Sequence, residues 1–156
     1  MTTEPPNRPR GTLATRTLAM PADANPSGDI FGGWVLSQMD IAGGITASAR
    51  AAGRVATVAV DAMVFHRPVY VGDVLCTYAD IIRIGRTSIA IHIEAWALRM
   101  RPGGKGRGEK GRGENGRGER VKVTQGTFTL VAIDDAGRPR PVPAEDPAAP
   151  EEDPAA

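Results

Sequence analysis

The chain has 156 residues, 41% of them hydrophobic and 24% charged, with a formal net charge of +1. That is enough apolar content for one cored domain, and too even a charge balance for a protein built as a whole to bind nucleic acid. A single cysteine, Cys76, and two histidines, His66 and His92, exclude an internal disulfide and a cysteine- or histidine-rich metal centre, so neither metal nor cofactor is expected.

Residues 1–10, MTTEPPNRPR, are polar and proline-bearing and read as a disordered start, and the first twenty residues lack the apolar run of a secretory leader. A cytoplasmic protein is the resulting expectation. Residues 11–19 suit a first strand. The loop MPADANPSGD then leads into a helix expected from Gly32 or Gly33 to about Ala52, with Ser27 or Asp29 as N-cap and Gly53 as the stop. From Ile30 to Ala49 the only charged residue is Asp40, and the apolar positions go round the whole circumference. Such a helix is expected to be buried on most sides. It has the length of a membrane span, but four glycines, Gln38 and Asp40 argue against one. A lone carboxylate in this setting is costly unless paired, protonated or put to use, and the expectation is a buried base.

Beyond Gly53 the periodicity turns strand-like. Residues 55–65 alternate Ala56, Val58, Val60, Ala62 and Val64 with Thr57, Ala59, Asp61 and Met63. HRPVYVGD, 66–73, is a connection, and 74–84 is the next strand. Gly85–Arg86 marks a tight hairpin into the strand 86–100, whose core face carries Ile89, Ile91, Ile93, Ala95 and Ala97. The other face, with His92, Glu94 and Trp96, reads as half exposed or interfacial. The last strand spans 121–133. Between these two, residues 101–120 carry the five-residue repeat KGRGE, KGRGE, NGRGE and a net charge of +4, a low-complexity hairpin insertion. Residues 143–156 form an acidic, Pro/Ala-rich tail expected to be disordered.

The element order predicts an α+β domain over 11–142, a five-stranded antiparallel sheet with hairpin-length links curved round one central helix. One curved sheet leaves part of such a helix uncovered, so a homodimer is expected as the minimum.

Three stretches, PADANPSGDIFGGWVLSQMD (21–40), VAVDAMVFHRPVYVGDV (58–74) and IGRTSIAIHIEAW (84–96), resemble the hot-dog-fold acyl-CoA thioesterases of the YciA and brain acyl-CoA hydrolase type. TFTLVAID (127–134) fits the same pattern. The resemblance implies a hot-dog fold, acyl-CoA as substrate, no metal, and a trimer of dimers. It also implies that Asp40 and Asn25 are catalytic and come from opposite subunits. The repeat departs from the family, whose loop at this place is shorter.

The residues themselves fit that chemistry. Asp40 is a candidate general base or nucleophile, the alternative being a merely structural carboxylate. Gly32 and Gly33, at the helix start, offer free N–H groups to a developing oxyanion, or simply close packing. Asn25 offers an amide that orients water without titrating, or forms an ordinary Asn-Pro turn. Gly85, Arg86, Thr87 and Ser88 put N–H groups, a cation and hydroxyls on one hairpin for the CoA phosphates, with Arg67 and Arg83 as further cations. The competing reading is a non-catalytic acyl-CoA-binding hot-dog protein, a sensor or carrier. An RNA-binding role for the repeat is disfavoured by its glutamates and lack of aromatic residues, so no nucleic-acid and no membrane partner is expected.

Overall fold

A computed structural model describes residues 8–99 and 118–147. Most of the expected N-terminal segment, of the repeat insertion and of the acidic tail lies outside these residues. Five strands and one long helix follow in chain order: β1 (Thr12–Leu18), α1 (Gly32–Ala51), β2 (Val55–Phe65), β3 (Val74–Ile84), β4 (Ser88–Arg99) and β5 (Glu119–Ala132). The strands form one antiparallel sheet in the order β1-β3-β4-β5-β2, and all five touch α1. This is the curved sheet around a helix that the alternation and the helix length predict.

One link differs from expectation. The eight-residue connection 66–73 is not a hairpin: it carries the chain from β2, at one edge, to β3, beside the other edge. On the way it passes the start of α1, where Ile30 N–H donates to the Val69 carbonyl at 3.0 Å and Asp29 bridges to Tyr70. Arg99 holds this crossover in place. Its Nη2 donates to the Pro68 carbonyl at 2.8 Å, its Nε pairs with the buried Asp73 carboxylate at 3.2 Å, and its guanidinium lies over the Tyr70 ring.

The helix buries one face only. Val35, Met39, Ala42, Gly43, Ala47 and Arg50 point into the domain at the spacing of a single helical stripe. On the far side Ile41 and Ile45 lie bare, each 50% exposed, and Leu36, one turn into the helix, is exposed as well. The pair Gly43–Gly44 divides accordingly. A Cβ on Gly43 would press on Ile93 and Leu130, so this glycine serves packing, whereas one on Gly44 would meet nothing. Neither Ser27 nor Asp29 caps the helix: the N-cap is Phe31, without a side-chain bond. The left-handed residue at the far end is Ala52 rather than Gly53; Gly53 lies against the Arg140 guanidinium, which donates to the Ala51 carbonyl at 2.9 Å. The chain stays on the domain through this region, with Arg50 bonding the Pro143 carbonyl at 2.8 Å.

β2 is an edge strand whose regular alternation breaks at two register shifts, Thr57/Ala59 and Asp61/Val64, with Ala62 at a positive φ of 52°. Val58 and Val64 are about three-fifths exposed. The outer face of β4 is also unlike the expectation, because Glu94 and Trp96 are each only 5% exposed. Glu94 accepts from Trp96 Nε1 at 2.8 Å, His92 Nε2 at 3.1 Å, Lys122 Nζ at 3.2 Å and the Arg10 backbone N–H at 3.2 Å. Burial by itself pushes the Glu94 carboxyl up. The bonds from Trp96, His92, Arg10 and Lys122 outweigh that and hold it below the usual carboxylate range.

The sign of the pH effect follows. With the folded value depressed, the stabilisation is complete above the unfolded value of ~4.3 and is lost as pH falls through the folded one. Glu94→Gln is therefore expected to cost about 1–3 kcal/mol at neutral pH. Urea unfolding should show that gap closing as the pH is lowered below about 4. A gap that stays constant with pH would mean that the charge on Glu94 contributes nothing.

Candidate active site

Asp40 follows the fully buried Met39 by one residue, and the 100° step of the helix turns it out of the core. The expectation of a buried carboxylate fails for the single chain: Asp40 lies on the exposed side of α1. It is not left loose, however. Thr57 Oγ1, on β2, donates to Asp40 Oδ1 at 2.5 Å. That bond fixes the orientation of the carboxylate, and Oδ2 has no protein donor among the described residues. Gly33, Ser37 and Asp40, all exposed, and the half-buried Gly44 run along one stripe of the helix. A Cβ on Gly33 or Gly44 would meet no atom within 4 Å, so the two glycines leave space on both sides of Asp40.

At the helix start, the first backbone groups to find acceptors are Trp34 N–H and Val35 N–H, both on the Phe31 carbonyl. The Gly32 and Gly33 N–H groups have no acceptor among the described residues, so the positive end of the helix dipole is open. Asn25 lies in the preceding loop, in a turn closed by Gly28 N–H on the Asn25 carbonyl at 2.9 Å. Its side-chain Oδ1 accepts from Ser27 N–H at 2.9 Å and Asp29 N–H at 3.2 Å. The oxygen of Asn25 thus shapes the loop, and its Nδ2 donors make no bond to the described residues. Asn25 and Asp40 share no hydrogen bond within the chain. The rise from Gly32 to Asp40 alone is about 12 Å.

The six residues proposed for CoA separate into two groups. Arg67 lies in the crossover beside the helix N-terminus. Gly85, Arg86, Thr87 and Ser88, with Arg83 just before them, sit at the β3–β4 hairpin near the other end of the helix. There Thr87 accepts from Ala132 N–H and Arg86 from Val142 N–H, each at 2.8 Å. A 20-residue helix is about 30 Å long, so one chain does not gather all six on one ligand.

Two features of the site went unread in the sequence. Thr57 is one, since it meets Asp40 only through the packing of α1 on β2. The other is a cavity of about 330 Å³ at the helix start, lined by Ile30, Gly32, Val35, Phe65, His66, Arg67, Pro68, Val69 and Val123. Trp96 is remote from it, on the outer face of the sheet. Among the described residues no cluster of histidine, cysteine or carboxylate suits a metal ion, and no helix is long and apolar enough to cross a membrane.

Comparison with known proteins shows the family. The thioesterase superfamily matches residues 27–103. The acyl-CoA thioester hydrolase YciA of Salmonella typhimurium is 49% identical over 139 residues, covering 89% of this chain and 96% of the relative. Among solved structures, the hexameric thioesterase y2039 of Yersinia pestis superposes with a TM-score of 0.74 at 49% identity, covering 88% of this chain and 100% of that one. HI0827, a hexameric broad-specificity acyl-coenzyme A thioesterase solved in an aspartate-to-alanine form, gives 0.75 at 46%, covering 88% and 90%. The chain belongs to the hot-dog-fold family of YciA-type acyl-CoA thioester hydrolases.

Proposed function

We propose that this protein hydrolyses acyl-CoA thioesters to the free acid and CoA, with Asp40 as general base. The observation that carries the reading is the Asp40 carboxylate, fixed through Oδ1 by Thr57 and open at Oδ2, on a helix whose N-terminal N–H groups are uncommitted. Asp40 removes a proton from water, and the resulting hydroxide attacks the thioester carbonyl carbon. The tetrahedral oxyanion is held by the Gly32 and Gly33 N–H groups, assisted by the Asn25 amide. On collapse the C–S bond breaks, and the CoA sulfur leaves with the proton that Asp40 had taken.

The parts come together in a dimer. Asp40 and the helix start are eight residues apart on one helix, and the midpoint, around Leu36 and Ser37, is exposed. A two-fold axis near that midpoint lays the helices antiparallel and sets the Asp40 of one protomer against the helix start and Asn25 loop of its partner. The same contact covers Leu36, Ile41 and Ile45 and the bare edge of β2. We further propose that Arg67 and the Gly85–Ser88 hairpin, which one chain keeps apart, meet CoA from different protomers of a trimer of dimers.

The test is thiol release from a panel of acyl-CoAs. Turnover by the wild type is the expected result; saturable acyl-CoA binding with no turnover would favour the sensor or carrier instead. Thr57→Val, which keeps the shape and deletes the donor, is expected to lower kcat about tenfold with little change in KM. A KM effect alone would remove Thr57 from the positioning of Asp40.

A further inference from the structure

We propose that the cavity at the start of α1 is the acyl-chain site and that Phe65 is the wall that sets the chain length accepted. The inference rests on the hydrolase reading above and adds to it the part of the substrate that the pocket selects. Gly32 belongs both to the proposed oxyanion site and to the cavity lining. A thioester carbonyl held at the Gly32 N–H therefore has this cavity next to it. Only two groups extend from that carbonyl carbon, the polar pantetheine arm through sulfur and the acyl chain through carbon.

The lining decides between them. Val35, Val69 and Val123 are buried, at 2%, 2% and 0% exposure, and together with Ile30 they form an apolar floor closed by the core. No carbonyl or carboxamide of pantetheine would find side-chain partners on that floor, and leaving such groups unpaired is costly. A hydrocarbon chain loses nothing there. The polar members of the lining, His66 and Arg67, are exposed residues of the crossover.

Phe65 is the adjustable element. It ends β2, is 48% exposed, and its ring lies 3.4 Å from where a Cβ on Gly32 would stand. The volume of about 330 Å³ is near the lower end of the ~300–1,000 Å³ usual for ligand pockets. An aliphatic acyl group of short to medium length fits that space, and a longer one extends against the half-exposed Phe65. The far wall is fixed, because Pro68 and the crossover are tied down by Arg99.

The experiment measures kcat/KM over a series of straight-chain acyl-CoAs, with free CoA as an inhibitor, for wild type, Phe65→Ala, Phe65→Trp and Val69→Ala. The oligomeric state of each is checked by gel filtration. Phe65→Ala is expected to favour the longer chains over the shorter by about tenfold or more relative to wild type, and Phe65→Trp to do the reverse. Val69→Ala, away from the β2 edge, deepens the floor and shifts the profile toward longer chains even if changes at Phe65 disturb assembly. If an active wild type and all three variants share one chain-length profile, the cavity is not the acyl site. A shift in inhibition by free CoA with an unchanged profile would give the cavity to pantetheine and overturn the proposal. Loss of thiol release from every acyl-CoA in the wild type itself would instead defeat the hydrolase reading.

Discussion

Asp40→Asn is expected to lower kcat for thioester hydrolysis by about 10²–10⁴-fold, the usual contribution of a positioned general base. KM and the unfolding midpoint should move little. The expectation of an intact fold follows from the structure: Asp40 is exposed, accepts one hydrogen bond and carries no core packing. Asparagine retains an oxygen to accept from Thr57, so the substitution removes the charge and the proton acceptor without breaking the local geometry. Thiol release and urea denaturation on the same preparations separate the two effects. A variant that is inactive because it is unfolded, or one that is folded and fully active, would each contradict the assignment.

Mixing two inactive variants is expected to restore activity. Asn25→Asp keeps the side-chain oxygen that accepts from Ser27 and Asp29 N–H, and deletes the two amide donors. It therefore tests donation to substrate apart from the shape of the turn. If the donors act on the oxyanion, the loss is about 10²–10³-fold. Refolded together with Asp40→Asn in equal amounts, half of the dimers are mixed. Each of these contains one site with both residues intact, so activity should return to about a quarter of wild type. Mixtures no more active than the better single variant would show that Asp40 and Asn25 do not act across the two-fold.

The elements with the strongest periodicity were legible in the sequence. β2 and β3 begin and end where alternation and glycine punctuation place them, and the helix starts at its glycine pair. The burial of Asp40 was not legible, for a physical reason. An apolar surface all round α1 says that every side is covered in the assembled protein, but not whether by its own sheet or by a partner. Leu36, Ile41 and Ile45 answer that for the single chain by remaining bare. The crossover 66–73 was misread because eight residues suit a long hairpin as well as a traverse, and only the sheet order distinguishes them. Glu94 was misread because alternation correctly points it outward, while two of its four donors, Arg10 and Lys122, come from distant parts of the chain to cover it. Thr57 lies 17 residues from Asp40 with no motif joining them. Asn25 could be singled out as a loop amide, but its division into a structural oxygen and uncommitted donors is a matter of three-dimensional bonding.

The pairing of Arg99 with Glu119 on the last rung between β4 and β5 has a consequence for how this chain is free to vary. Arg99 is also the residue that ties Pro68 and Asp73, so the pocket wall is locked before the chain leaves the described strand. Whatever is inserted after that rung transmits no length requirement to the site. Loop-closure cost grows only with the logarithm of length, so doubling the number of residues between two paired strands adds only ~0.6 kcal/mol. On that scaling, one KGRGE unit more or fewer between Arg99 and Glu119 changes the closure cost of the β4–β5 pair by well under ~0.6 kcal/mol.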